Sequence, residues 1–281
     1  MSLLDRIREC NVHEMSHFVP FAAGGAQVGW VKRPFAARLR EFSDVFVVRD
    51  GEISLSSALA DYHARTAAMD RVLRRLADEG VVRGWRDENY AVGTSFGGPH
   101  AFEMERAGVP HFGVRAYGVH VNGFVRDGAG LRMWVGRRAR EKHTYPGQLD
   151  NLIAGGQPVG LDVFENLIKE AEEEASVPPA LARTARPAGV ISYVLEIPEG
   201  LRPDVMFVYD LELPPDFAPR SNDGEVEEFH LWPIDKVLDV VANTTEYKFN
   251  CNLVVIDFCV RHGLIGPDDA DYVEIVRGLR A

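Results

Sequence analysis

The 281-residue chain is short of several things, and each shortage narrows what it can be. It has three cysteines, Cys10, Cys251 and Cys259, an odd number with no C-x-x-C pair. That points away from a disulfide framework and a zinc ribbon, toward buried reduced thiols. Positive charge is also scarce: 31 Lys and Arg face 42 Asp and Glu, a net charge of −11. Phosphate-backbone binding needs a basic footprint, so nucleic acid is excluded as the main partner. No apolar run approaches the length of a membrane span. The opening MSLLDRIREC carries charges at Asp5, Arg6, Arg8 and Glu9 and has no signal-peptide apolar region. The expectation is a soluble, cytoplasmic protein with no membrane partner. Low-complexity segments and internal repeats are missing too, and the length has room for about two domains, each with its own core.

What the chain does have is concentrated between Ala154 and Val177, in AGGQPVGLDVFENLIKEAEEEASV. Gly155, Gly156 and Gly160 make a glycine-rich loop. Asp162 then reads as an N-cap, with Glu165 three residues on as in a capping box. At about 100° per residue, Val163, Phe164, Leu167, Ile168, Ala171 and Ala175 form an apolar seam. Glu170, Glu173 and Glu174 line an edge beside it, while Glu165 and Glu172 point to water. Glu170 and Glu174 repel as a like-charge i,i+4 pair, at a helix end where the macrodipole favours cations. A hard divalent ion removes both penalties, since Mg²⁺ takes carboxylate oxygens and keeps waters and substrate phosphates as its other ligands. The plain alternative is a solvated acidic face.

This stretch resembles the Nudix box: glycine, five residues, glutamate, seven residues, then Arg-Glu-aliphatic-x-Glu-Glu-x-Gly-aliphatic. Laid on the chain it starts at Gly155 and closes with Lys169-Glu170-Ala171-Glu172-Glu173-Glu174-Ala175-Ser176-Val177. Three positions depart: Leu161 replaces the first glutamate, Lys169 the arginine, and Ser176 the last glycine. Lys169 keeps a cation without the bidentate fork. The preceding run from Lys142 to Asn151 and the closing EAEEEASVP look like Nudix proteins related to the N-terminal part of fungal thiamin pyrophosphokinase. There a Nudix domain follows an N-terminal domain of its own. The resemblance implies hydrolysis of thiamin diphosphate analogues, especially oxidised forms.

Along the chain, residues 1–112 read as a separate α/β unit, with an opening helix around Leu3, Leu4 and Ile7. The turn AAGGAQVGW does not fit G-x-G-x-x-G and reads as hairpin chemistry. Val45–Val48 and Ile53–Ser56 flank Asp50-Gly51, a strong hairpin signal. A helix spans about 58–77 with Val72, Leu73 and Leu76 inward, and VVRGW and the residues up to Val92 are expected to return as strands. Trp30 and Trp85 read as core or interface anchors, with an aromatic from this unit stacking on a substrate ring as the other reading.

Residues 113–281 read as the Nudix domain. GVHVNGFV and LRMWVGRR are strands around the turn RDGAG, followed by a basic cluster of Arg137, Arg138, Arg140, Lys142 and His143. That cluster is either a solvated strand end or a clamp for the diphosphate. Asp150 reads as a surface turn acid. Two strands over 191–197 and 205–213 follow the box. Glu225 fits the further carboxylate that Nudix domains draw from this region, and His230 and His262 read as structural. Helices over 233–241, 247–262 and 269–280 close the chain.

The expected fold is an α/β (α+β) Nudix α/β/α sandwich with a mixed sheet, preceded by a smaller α/β domain. The expected activity is hydrolysis of a diphosphate linkage in a small-molecule substrate, assisted by Mg²⁺ or Mn²⁺. Glu170, Glu173, Glu174 and Glu225 are the candidate metal ligands, with Glu173 and Glu174 catalytic. Arg137, Lys142, Gly155, Gly156 and Lys169 are the candidate substrate-binding residues. Rival readings are a nucleotide-sugar or dinucleotide pyrophosphatase, an enzyme like isopentenyl diphosphate isomerase with a reactive cysteine opposite an acid, and a non-catalytic ligand sensor. Oligomeric state stays open, a homodimer being compatible with the sequence.

Overall fold

The computed structural model describes residues 2–142 and 144–280, so His143 of the basic cluster lies outside the described residues. In chain order the elements are α1 (Leu3–Glu9), β1 (Phe18–Ala23), β2 (Ala26–Lys32), α2 (Arg33–Arg38), β3 (Phe46–Arg49), β4 (Glu52–Leu55) and α3 (Tyr62–Asp78). Then come β5 (Asn89–Gly93), β6 (His100–Glu105), α4 (Val109–Phe112), β7 (Tyr117–Asp127), β8 (Gly130–Arg138), β9 (Leu149–Asp150), β10 (Ile153–Gly156), α5 (Val163–Ala175) and α6 (Pro179–Ala182). The chain closes with β11 (Arg186–Ile197), β12 (Gly200–Glu212), β13 (Val226–Pro233), α7 (Ile234–Asn243), α8 (Cys251–Arg261) and α9 (Tyr272–Gly278).

The first unit holds a four-stranded sheet ordered β2-β1-β4-β3 and a separate β5-β6 pair. Both hairpins form where glycine permits them. Gly24 and Gly25 turn β1 into β2 at φ 60° and 85°, and Gly51 turns β3 into β4 at φ 85°. Helix α3 starts because the Asp61 carboxylate accepts from the Ala64 amide at 2.8 Å. It buries Met69, Val72, Leu73 and Leu76. VVRGW is not a strand. The amides of Val81 and Val82 both turn back to the Leu76 carbonyl, and Gly80 and Gly84 take positive φ, so α3 ends in a wrap that uses up the apolar pair.

The second unit is built on a seven-stranded mixed sheet. Its main path is β11-β12-β7-β8-β13, with β10 against β7 and β9 against β8. β7 runs parallel to β12 and antiparallel to β8 and β10. Alternation along β12 divides its side chains cleanly: Met206 and Val208 join one core, Tyr209 and Leu211 the other. On the second face, α5 seals Val119, Val121 and Ile153; on the first, α7 and α8 cover Met133, Val135 and Ile191. This is the expected α/β/α sandwich.

One element ignores the sequence order. Leu4, Ile7 and Cys10 of the opening segment lie in the same core as α8. The buried Arg6 guanidinium donates to the Val241 carbonyl at 2.8 Å and to that of Thr244. We propose the division near residue 112 as the boundary between two folding units, with α1 belonging to the second. Separate cores support it, one drawn from residues between Val19 and Val114 and two dominated by later residues. All three cysteines are buried free thiols.

Candidate active site

Helix α5 begins where Asp162 caps it, its carboxylate accepting from the amides of Phe164 (3.0 Å) and Glu165 (2.8 Å). Glu165 does not complete a capping box; it pairs with Arg183 at 3.3 Å. Leu167, Ile168, Ala171 and Ala175 are buried as the periodicity predicts. The helix stops at Ser176, in the left-handed region at φ 51° where the box pattern has glycine. Its hydroxyl bonds the Arg220 carbonyl at 2.7 Å and the Asn222 side-chain oxygen at 2.9 Å. Asn222 also donates from its backbone to the Glu173 carbonyl at 2.9 Å. The segment leading to Glu225 is thereby stitched to the end of the glutamate helix.

The three box glutamates sit at different depths. Glu174 is buried and its carboxylate accepts from the Ala154 amide at 2.8 Å. Burial pushes its carboxyl well above the usual range, and the neighbouring Glu170 and Asp150 push the same way. Glu170 is also raised by burial, with Glu173 and Glu88 adding to it. Glu173 is half exposed. Lys169 pairs with Glu170 at 3.1 Å and with Glu173 at 2.8 Å. Burial alone would lower the Lys169 pKa, but the two carboxylates outweigh it and hold the ammonium charged. Lys169 therefore orients the box glutamates.

Gly155 and Gly156 of β10 were candidates for substrate contact, but protein side chains occupy the space beside them. A Cβ on Gly155 would overlap the Glu170 carboxyl, and one on Gly156 the Tyr90 hydroxyl. Their role in the structure is close packing, which sets Glu170 against the strand and brings Tyr90 from the first unit onto it.

Beside the segment tethered to the helix end is a cleft of about 330 Å³ lined by Arg86, Glu141, Lys142, Asp223 and Glu225, among others. Lys142 and Glu225 form an ion pair within it. Burial alone would raise the Glu225 carboxyl, but the bond from Lys142 and the charges of Lys142, Arg138 and Arg86 bring it below its ordinary value. Lys142 also pulls electrostatically on Glu174, which ties the cleft to the glutamates. Arg86 comes from the wrap after α3, a place where no catalytic residue was expected. Arg106, at the end of β6, lies over the Tyr90 ring, bonds Glu88 at 2.7 Å and feels Glu170.

Two sequence readings are corrected here. Arg137 is no part of this wall: it donates to the Gly147 carbonyl at 2.9 Å and pairs with Glu246 at 3.4 Å. Adjacent strand residues point to opposite faces, and it is Arg138 that turns inward. Asp150, expected at the surface, is 5% exposed. It pairs with Arg138 at 2.8 Å and lies 3.7 Å from Lys248, and its other oxygen accepts from the Cys251 thiol at 2.7 Å. Burial alone would raise its carboxyl, yet Lys248 and Arg138 carry it far below the ordinary value. The signal was available: Asp150 sits in a run with Leu149, Leu152 and Ile153, all buried.

Among the described residues, the potential metal ligands lying within 4.8 Å of one another are His120, Asp150 and Cys251, rather than the glutamates. Two cations already balance that trio, and Cys251 is buried with its thiol pKa pushed far up by burial. A reactive cysteine opposite an acid in an open pocket, as an isomerase needs, is not what this pair provides. The glutamates do fit a hard cation: they are oxygen donors, and burial keeps Glu170 and Glu174 raised despite the lysines near them.

Carboxylates on a helix packed against a mixed sheet, beside a cleft carrying lysine and arginine, suit the hydrolysis of a phosphate anhydride. Residues 2–116 match the profile of a domain of unknown function (DUF4743). The chain is 43% identical to Nudix hydrolase 24, chloroplastic, of Arabidopsis thaliana, covering 99% of this chain and 77% of that protein. It is 42% identical to Nudix hydrolase 20, chloroplastic, of the same plant, over 98% and 77% of the two chains. An uncharacterized Saccharomyces cerevisiae protein, YJR142W, is 32% identical over 90% and 80%. The chain belongs to the Nudix hydrolase family and is a diphosphate hydrolase. Members of that family use divalent metals.

The expectation of a cytoplasmic location does not stand, because both plant relatives are designated chloroplastic. Among the described residues no helix is long and apolar enough to cross a membrane.

Proposed function

We propose that the protein hydrolyses the diphosphate linkage of a small organic diphosphate, with thiamin diphosphate and its oxidised analogues as the first candidates. The observation that carries the reading is a tether: Ser176 and Asn222 bond the segment leading to Glu225 to the end of the glutamate helix. Glu170, Glu173 and Glu174 stand on that helix, and Lys142, Glu225 and Arg86 line the neighbouring cleft. Glu170, Glu173 and Glu174 would hold a divalent ion, Mg²⁺ or Mn²⁺, with Glu225 contributing from the cleft. Such an ion supplies neutralisation of phosphate oxygens and a water of lowered pKa. The chain's own residues do the rest. Lys142, as expected from the sequence, and Arg86, in place of Arg137, neutralise and place the diphosphate. Glu174, fixed by the Ala154 amide, and Glu173, open to solvent, are the catalytic pair. Lys169, paired with Glu170 and Glu173, holds their carboxylates in position.

The resemblance to the N-terminal part of fungal thiamin pyrophosphokinase supports the thiamin-type substrate; nucleotide sugars and dinucleotides are the alternative class. The test is Mg²⁺- or Mn²⁺-dependent release of phosphate or monophosphate from thiamin diphosphate, its oxidised analogues, ADP-ribose, dinucleotides and nucleoside triphosphates. Turnover of the thiamin compounds, lost in Glu174→Gln, is the expected result. Turnover of nucleotides alone would keep the hydrolase and remove the thiamin assignment.

A further inference from the structure

A second cavity, of about 110 Å³, opens where the first unit meets the box loop. Tyr90, Phe96 and His100 supply one side, Tyr117 and Leu161 the other, with Arg115 at the rim. The Phe96 ring lies 4.8 Å from both Tyr117 and Phe207, and Tyr117 stacks on Phe207 at 18°. Three of the seven exposed large hydrophobic side chains of the described residues, Phe96, Val159 and Leu161, line this one place. Apolar exposure gathered in a concavity marks a binding surface, whereas scattered exposure does not. A closed cavity of about 150 Å³ admits benzene; this one is smaller but open on one side, so a single ring would enter it partly enclosed.

Its position joins it to the carboxylates. Gly155 lies against Glu170, Gly156 against Tyr90, and the next residue, Gln157, already lines the cavity. The Val159 amide bonds the Asn89 carbonyl at 2.9 Å, so the box loop is pinned to β5 of the first unit. Leu161 stands where the box pattern has a glutamate. Here that position forms part of an apolar wall.

We propose that this cavity receives the planar heteroaromatic ring of the diphosphate substrate, with Phe96 and Tyr117 as its stacking partners and Leu161 as its floor. The first unit thereby reads the organic part of the substrate while α5 handles the diphosphate. Among the described residues Arg115 makes one hydrogen bond, a 3.5 Å contact with the Thr94 carbonyl, and as a lining cation it would meet an anionic or carbonyl group on the ring. This rests on the hydrolase reading above, and the experiment separates the two.

The experiment compares kcat/KM for a ring-bearing diphosphate (thiamin diphosphate or ADP-ribose) with that for a ring-less one, isopentenyl diphosphate. It uses the full chain and the variants Phe96→Ala and Leu161→Glu, with Val273→Ser as a control at an exposed apolar residue elsewhere. Loss of stacking on Phe96 should lower the ring-bearing to ring-less ratio by about fivefold or more in Phe96→Ala, and a carboxylate in the apolar wall should lower it in Leu161→Glu as well, both chiefly through KM. The control should leave the ratio where it is. A ratio unchanged in both cavity variants overturns the proposal. Calorimetric titration of metal-free protein with unphosphorylated thiamin and with adenosine supplies the independent reading. If no diphosphate is turned over, binding of either compound that disappears in Phe96→Ala keeps the cavity and sinks the hydrolase reading, while no binding of either sinks both.

Discussion

Asp150 shows how much one side chain can hold in this molecule. Its carboxylate is buried against Arg138, Lys248 and Cys251, so removing its charge leaves two cations without their partner. Asp150→Asn is expected to destabilise the protein by about 3–5 kcal/mol, read as a lower urea midpoint at unchanged slope. A loss below about 1 kcal/mol would mean that the network is far wetter than the structure has it. Ser176 is a gentler case. Alanine keeps the left-handed strain and drops both hydroxyl bonds, whereas glycine drops the bonds but removes the strain. Ser176→Ala should therefore cost about 1–2 kcal/mol and Ser176→Gly about 0.5 kcal/mol or less. The reverse order in thermal melts would refute the account.

At the scale of elements, α5 was legible because its information is local: a cap, a period and a glutamate edge all sit within the run from Asp162 to Ser176. The hairpins at Gly24-Gly25 and Asp50-Gly51 were legible for the same reason. What escaped was set by distant partners. Arg86 reaches Glu225 from far along the chain, and Asp150 meets Cys251 across 101 positions. Strand alternation would have separated Arg137 from Arg138, but which face looked into the cleft depended on the fold. VVRGW failed because two β-branched residues were absorbed by a helix end. The glutamate edge makes its own prediction. Saturating Mg²⁺ or Mn²⁺ should raise the melting temperature, with about 2.7 kcal/mol at a hundredfold excess over Kd, and chelation should reverse it. Glu170→Gln and Glu174→Gln should abolish the shift. A full shift in both variants would place the ion elsewhere.

For the whole molecule, two buried groups oppose each other with pH. His120 is drawn down to about 4 by burial, so between its unfolded value of about 6.5 and pH 4 the unfolded chain binds the proton and stability falls as pH falls. That is worth up to about 3 kcal/mol. Glu174 is raised, so its contribution is full below its unfolded pKa and is lost as pH rises. In metal-free protein the two offset across mildly acidic pH. Glu174→Gln should unmask the His120 slope, giving a variant whose urea stability drops steadily from pH 6.5 to 4; a flat profile there would contradict the His120 burial. Asp150, depressed in the fold, extends the loss at lower pH still. The docking of α1 carries a consequence of another kind. Synthesis makes Leu4, Arg6 and Ile7 long before the surfaces of α7, α8 and α9 that receive them. Helix α1 must wait, apolar side exposed, until those helices exist. Its docking completes their core, so a nascent chain stalled before α7 carries an unpaired apolar face that chaperones would have to cover.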